Sequence, residues 1–189
     1  SARLAVGLED ARPTNAPVGH IDFKVTLIEV QQQLRKTAER NGVPMPYDLG
    51  MDDTLRGNED ARTRILQLRT EAKLLDLILN LKVGMVRSVE PLPPYSYRGK
   101  SGEVYCEEYP IQIDFQGTMK NMYDVFEQAL DQKHPFVFRQ LRIQKASGTS
   151  DRIEISAVMS ALVFQKSIGD MLLPSAVARP AGPVAPAGF

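Results

Sequence analysis

The sequence has no tryptophan, a single cysteine, two histidines and no excess charge of either sign, with 23 Lys+Arg against 23 Asp+Glu in 189 residues. Each shortage argues against a class of function. Phosphate neutralisation supplies much of the affinity of nucleic-acid binders, and a balanced chain offers no basic surplus for it. Without tryptophan, and with aromatics at 7 %, a stacking platform for bases or sugars is poorly supplied. One thiol, Cys106, forms no internal disulfide and excludes paired-cysteine metal motifs; it reads as a small half-buried strand residue. No run of about 18 apolar residues exists to span a bilayer. The chain opens on Ser1-Ala2-Arg3 rather than a methionine, which we read as the start of a processed or engineered fragment.

Catalytic constellations are also wanting. His20 lies in an irregular lead-in and His134 precedes Pro135 at a turn, and neither has a nucleophile or carboxylate at a spacing that would activate it. Asp52-Asp53 and Glu107-Glu108 are adjacent pairs, and neighbours in a strand point to opposite faces, so neither makes a bidentate metal clamp. The run from Asp48 to Asp53 lacks the alternating oxygens of a calcium loop. Gly99-Lys100-Ser101 echoes a phosphate-binding loop, but the glycine required five positions earlier is Pro94 and no helix follows. No cofactor, metal or catalytic residue is therefore assigned, and the chain reads as a non-enzyme.

What is present is 43 % hydrophobic residues in clear periodic segments. A chain of this length buries roughly 70 % of its unfolded surface, so no staple is needed. Residues 1–20 form the lead-in, with a short edge strand conceivable at 4–8. Over 21–41, Ile21, Leu27, Ile28, Leu34 and Ala38 recur at helical spacing, and Asn41-Gly42 supplies a left-handed stop. Pro44 and Pro46 then hold an extended segment. Residues 59–82 form the longest helix, with Ile65, Leu68, Ala72, Leu75 and Leu79 three and four apart, Asn58 as N-cap and Gly84 as terminator. Residues 85–92 read as a strand and 95–102 as a polar loop.

Residues 104–116 alternate cleanly, with Tyr109, Ile111, Ile113 and Phe115 on one face and Gln112, Asp114 and Gln116 on the other, as in a sheet with one wet side. Thr118 caps a helix over 119–131 whose apolar face is Met119, Met122, Phe126 and Leu130. A strand over 135–145 changes phase between Phe136/Phe138 and Leu141/Ile143, which predicts a bulge near Arg139-Gln140. After a hairpin loop at 146–150, residues 152–165 alternate again. Val158, Leu162 and Phe164 add apolar groups to the second face, so that end is expected to be covered on both sides. Residues 167–189 are a Pro/Ala-rich flexible tail.

The fold class is α+β: two ferredoxin-like lobes, 21–92 and 103–166, with helices packed on an antiparallel-rich sheet. Residues 109–165 carry a more specific likeness. The strand Tyr109 to Gly117, the amphipathic helix with Tyr123 and Phe126, the strand Pro135 to Gln144 and the closing strand Ile153 to Phe164 resemble the core of the PilO and GspM families. The element order over about 24–166 is similar to that of PilO-like pilus-associated proteins. The resemblance implies a non-enzymatic assembly domain of a type IV pilus or type II secretion platform. It further implies a place at the periplasmic face of the inner membrane, held by an anchor absent from this chain, with a second copy and PilN- or GspL-like proteins as partners.

Surfaces for such contacts are expected at the helical stripe Ile65, Leu68, Leu75 and Leu79, at Arg139 and Arg142 of a cationic hairpin with Lys145 and Arg152, and at Leu162 and Phe164. Residues 43–51 or 153–164 could also offer a strand edge. The cationic hairpin reads as a solvated face, or as a surface for an acidic partner or anionic headgroups. A second reading keeps the fold as a free-standing regulatory module that binds a small ligand between its lobes.

Overall fold

A computed structural model describes residues 19–51, 61–131, 136–146, 148 and 151–164. The expected strand at 4–8, the Asn58 cap, Asp52-Asp53, His134, most of the 146–150 loop and the tail lie outside these residues.

Helix α1 runs from His20 to Asn41. The Asp22 carboxylate accepts the Gly19 N–H at 2.8 Å and satisfies one donor of the open first turn. Gly42, at φ +66°, takes the left-handed cap conformation, and the Val43 N–H returns to the Ala38 carbonyl at 3.0 Å. The buried face is Phe23, Leu27, Leu34, Thr37 and Ala38. Ile21 and Ile28, expected inside, are instead exposed together with Val25. Two apolar rows compete on this helix, and the one containing Phe23 wins the core.

Helix α2 spans Ala61–Asn80, about 30 Å. It is buried nearly all round because α1 packs on one side of it while β1, β3 and α3 pack on others. The helix ends earlier than expected: Lys82 turns the chain at φ 51°. Gly84 serves a different purpose, since a β-carbon there would stand 3.0 Å from the Gln116 carbonyl oxygen and β1 could not approach β3 so closely.

Five strands follow: β1 Met85–Pro91, β2 Tyr95–Arg98, β3 Val104–Gly117, β4 Val137–Lys145 and β5 Ile153–Phe164, with helix α3 Met119–Leu130 between β3 and β4. All pairings are antiparallel, in the order β1-β3-β5-β4, and β2 also pairs with β3. β1 and β2 share one edge of β3, β1 against 111–116 and β2 against 104–108.

The two-lobe expectation is not confirmed. The α+β class is found, but both halves of the chain feed one sheet and one apolar cluster joins Phe23 and Leu75 to Phe115 and Met159. β1 finds its partner in β3, and no short-range periodicity encodes such a pairing. Residues 95–98, expected as loop, are a strand for the same reason. The proposed edges also move: β5 lies inside the sheet between β3 and β4, and residues 43–51 are not a strand, although the Val86 N–H donates to the Pro44 carbonyl at 2.8 Å. The expected bulge is present, with a register shift between Phe138 and Gln140. Thr118 caps α3 as expected, its hydroxyl accepting the Asn121 N–H at 3.2 Å. The buried face of α3 is rotated to Met122, Val125 and Ala129, leaving Met119 and Leu130 exposed.

One buried group opposes this packing. Glu71 on α2 is fully buried, and neither carboxylate oxygen has a hydrogen-bond partner among the described residues. Burial raises its pKa well above the ordinary value; Arg64 opposes that shift and Asp48 reinforces it. The unfolded chain therefore releases this proton near pH 4.5 while the folded chain keeps it, so stability declines as pH rises from there toward the folded value. Glu71→Met should raise stability at pH 8 by about 1–3 kcal/mol, with the gain shrinking toward pH 4 in urea titrations. A variant no more stable than wild type at pH 8 would refute an uncompensated buried carboxyl.

Candidate functional site

α2 and α3 cover the face that carries Ile111, Ile113, Phe115, Ile155, Ala157 and Met159. Directly opposed residues in a ladder share a face, so the register defines the other one. It carries Cys106, Glu108, Gln112 and Asp114 of β3, and Phe164, Leu162, Val158 and Ser156 of β5. Tyr95 and Tyr97 of β2, and Gln140, Arg142 and Gln144 of β4, extend it. No described element covers this face, and Phe164 is 62 % exposed. The expectation of cover on both sides near Phe164 is therefore not met among the described residues.

At one end the open face is held by an ion pair. The β4 bulge gives Arg139 no residue directly opposite it, and a bulge re-aims its side chain. Arg139 reaches over β5 to Glu108, where Nε donates to Oε1 and Nη2 to Oε2, both at 2.6 Å. The Tyr97 hydroxyl donates to Glu108 Oε2 at 2.6 Å and accepts from Arg139 Nη2 at 2.9 Å. Glu108 is 5 % exposed. Arg139's hydrogen bonds, helped by that of Tyr97, hold its carboxyl down to about 2. Donation to Glu108 pushes the Tyr97 phenol up. The Tyr95 ring meets Tyr97 edge-on at 4.8 Å, and Tyr97 stands 6.3 Å from Tyr105. Strands β2, β3 and β4 are thus tied together across β5 beneath exposed aromatic groups, the residue types that anchor protein interfaces.

The other end is polar. Arg87 pairs with Glu154 at 2.6 Å, and Ser88 Oγ donates to Asp114 Oδ2 at 2.6 Å, around a hollow of about 280 Å³ that Arg142 also lines. A groove of about 370 Å³ lies elsewhere, between the end of α1 and Val43–Tyr47, where Arg35 stacks 3.6 Å over Tyr47.

Arg139, Leu162 and Phe164 lie at one end of the open face, and Arg142 lines the hollow at the other. Ile65 is half-buried against the core. Leu68, Leu75 and Leu79 are 0 % exposed, so the proposed docking role for them is corrected: α2 uses that stripe within its own chain. Arg152 points toward Gly84, away from the β4 edge. Sequence reading missed Tyr95, Tyr97 and Glu108; the alternation of tyrosines in Tyr95-Ser96-Tyr97 was the available signal. Cys106 is buried, and burial pushes its thiol up, ahead of repulsion by Glu108 and Glu107, which is the wrong direction for a nucleophile. Among the described residues no three His, Cys, Asp or Glu side chains gather to hold a metal, and no helix is long and apolar enough to cross a membrane.

No family model and no curated protein matches the chain. Solved structures do. The crystal structure of a core domain from Akkermansia muciniphila is 12 % identical, with a TM-score of 0.67 over 80 % of this chain and 91 % of that one. A protein from the same organism, solved without its transmembrane region, is 13 % identical, with a TM-score of 0.64 over 80 % and 88 %. The type 4 fimbrial biogenesis protein PilO from Pseudomonas aeruginosa is 12 % identical, with a TM-score of 0.41 over 72 % and 99 %. At these identities the likeness to the two Akkermansia muciniphila structures is one of fold alone.

The ion pair yields a prediction with a sign. Glu108 is held below its ordinary 4.5, so its stabilisation is present above that pH and is lost as pH falls toward 2. Arg139→Ala should cost about 2–3 kcal/mol at pH 7, less than a fully buried pair because Arg139 is half exposed. Glu108→Gln should flatten the acid limb of a stability-against-pH curve. An unchanged acid limb would contradict the assignment.

Proposed function

We propose that this chain is a non-enzymatic interaction domain of a type IV pilus or type II secretion assembly platform, PilO/GspM-like in role. It works at the periplasmic face of the inner membrane, held by an anchor outside this fragment. Its open sheet face docks a second copy or a PilN/GspL-like partner. The observation that carries the reading is the one-sided roofing of the sheet: among the described residues α2 and α3 cover one side, with α1 packed on α2, while the other presents Tyr95, Leu162 and Phe164 around the Arg139–Glu108 clamp. An antiparallel sheet tolerates one wet face, but exposed aromatics over a rigid ion pair are the composition of a contact surface.

The fold shared with a protein solved without its transmembrane region supports the anchor. The small-ligand alternative needs a hollow between two lobes, and the single sheet leaves no such interface among the described residues.

Light scattering on this chain, alone and co-purified with a PilN-like protein from the same genome, tests the reading. A concentration-dependent dimer or a stable heterodimer is expected. Phe164→Arg should weaken it about tenfold or more, a loss of about 1.4 kcal/mol, with an unchanged melting temperature. A strict monomer that forms no complex would overturn it.

A further inference from the structure

The outer side of β4 has no strand partner among the described residues. Beyond its bulge it runs straight from Gln140 to Lys145, a length that one extended peptide can pair with. The two rows of side chains along this edge differ in chemistry. Leu141 pairs with Ala157 and Ile143 with Ile155, so both lie on the helix side of the sheet, yet they remain 43 % and 42 % exposed. α3 covers Phe138, with Phe126 edge-on at 4.8 Å, and stops short of them. Arg142 pairs with Ser156 on the open face, between Gln140 and Gln144, and Lys145 ends the strand. β4 carries three cations and no carboxylate, and among the described residues Arg139 is the one of the three shown in an ion pair, with Glu108.

We propose that the β4 edge accepts an acidic, extended segment of a partner protein by antiparallel strand addition. The proposal rests on the assembly reading above and names the chemistry of its partner. Side chains in a strand alternate with period two, so the edge specifies an order. Opposite Lys145 to Gln140, the guest reads acidic, polar, apolar, acidic, apolar, polar. Its apolar residues cover Leu141 and Ile143, and its carboxylates meet Arg142 and Lys145. A second copy of β4 is a poor guest, because antiparallel self-pairing sets cations against cations and supplies no carboxylate. Charge on an edge also serves to block pairing, but here the apolar row beside the charges stays uncovered, and the test separates the two roles.

The probe is the dye-labelled peptide Gly-Glu-Thr-Val-Glu-Val-Thr-Gly, acetylated and amidated, titrated with the whole chain in fluorescence anisotropy. The expected result is saturable binding, about tenfold weaker for Arg142→Glu, similarly weakened for Leu141→Ser, and restored for Arg142→Glu by a peptide with lysine in place of glutamate. Shifts of backbone amide resonances should concentrate at 140–145. Absence of binding overturns the proposal. So does equal binding of a peptide with serine for both valines, which would mean charge attraction alone. Protection of the β4 amides by self-association before peptide is added would make a second copy the occupant, and likewise overturns it. If the chain forms its complexes but ignores the peptide, the inference falls and the assembly reading stands; if it binds the peptide but forms no complex, the reverse holds.

Discussion

The packing of α2 between α1 and the sheet is the constraint from which the rest follows. Leu68, Leu74, Leu75, Ile78 and Leu79 are all 0 % exposed, and a helix buried on several sides fixes everything it touches. Truncation of one such leucine would cost about 2–5 kcal/mol, a large share of a small domain's stability. Asn41 ties the end of α1 to this helix by donating to the Leu79 carbonyl at 3.0 Å, and Gln67 donates to the Leu92 carbonyl at 3.0 Å beyond β1. Once α2 and α3 occupy one face of the sheet, the other face is left with its half-polar alternation, and that face and the β4 edge are the surfaces we propose for contact with other proteins.

That open face is cross-tied by hydrogen bonds where it is aromatic. The Arg139–Glu108–Tyr97 triad joins three strands, so the surrounding tyrosines and Phe164 stand on a preorganised base, and little ordering remains to be done on binding. A bidentate guanidinium–carboxylate pair fixes geometry more firmly than a point charge would. The single residue that makes this possible is the extra one in β4, which turns Arg139 out of register and across its neighbour.

Much of this was legible in the sequence, and the limits have physical causes. β3, β5 and α3 fall within about a residue or two of expectation because their periodicity is strong. The change of phase between Phe138 and Leu141 located the bulge before any coordinates. α1 misled because Phe23–Leu27–Leu34 and Ile21–Val25–Ile28 are both plausible stripes, and only the tertiary partner decides between them. β2 was hidden by Pro93, Pro94 and a run of tyrosine and serine that becomes a strand only against β3. The single sheet, and the ion pair between residues 31 positions apart, depend on long-range pairing that no local pattern encodes. The same blindness made the α2 leucines look like a docking stripe.

Hydrogen–deuterium exchange of the chain, compared between its free state and its complex with a second copy or a PilN-like protein, measures the central claim most directly. Slowed exchange confined to 95–98, 137–145 and 158–164, with α2 unchanged, is the predicted result. Slowed exchange on the helical side with an unaltered open face would contradict the account.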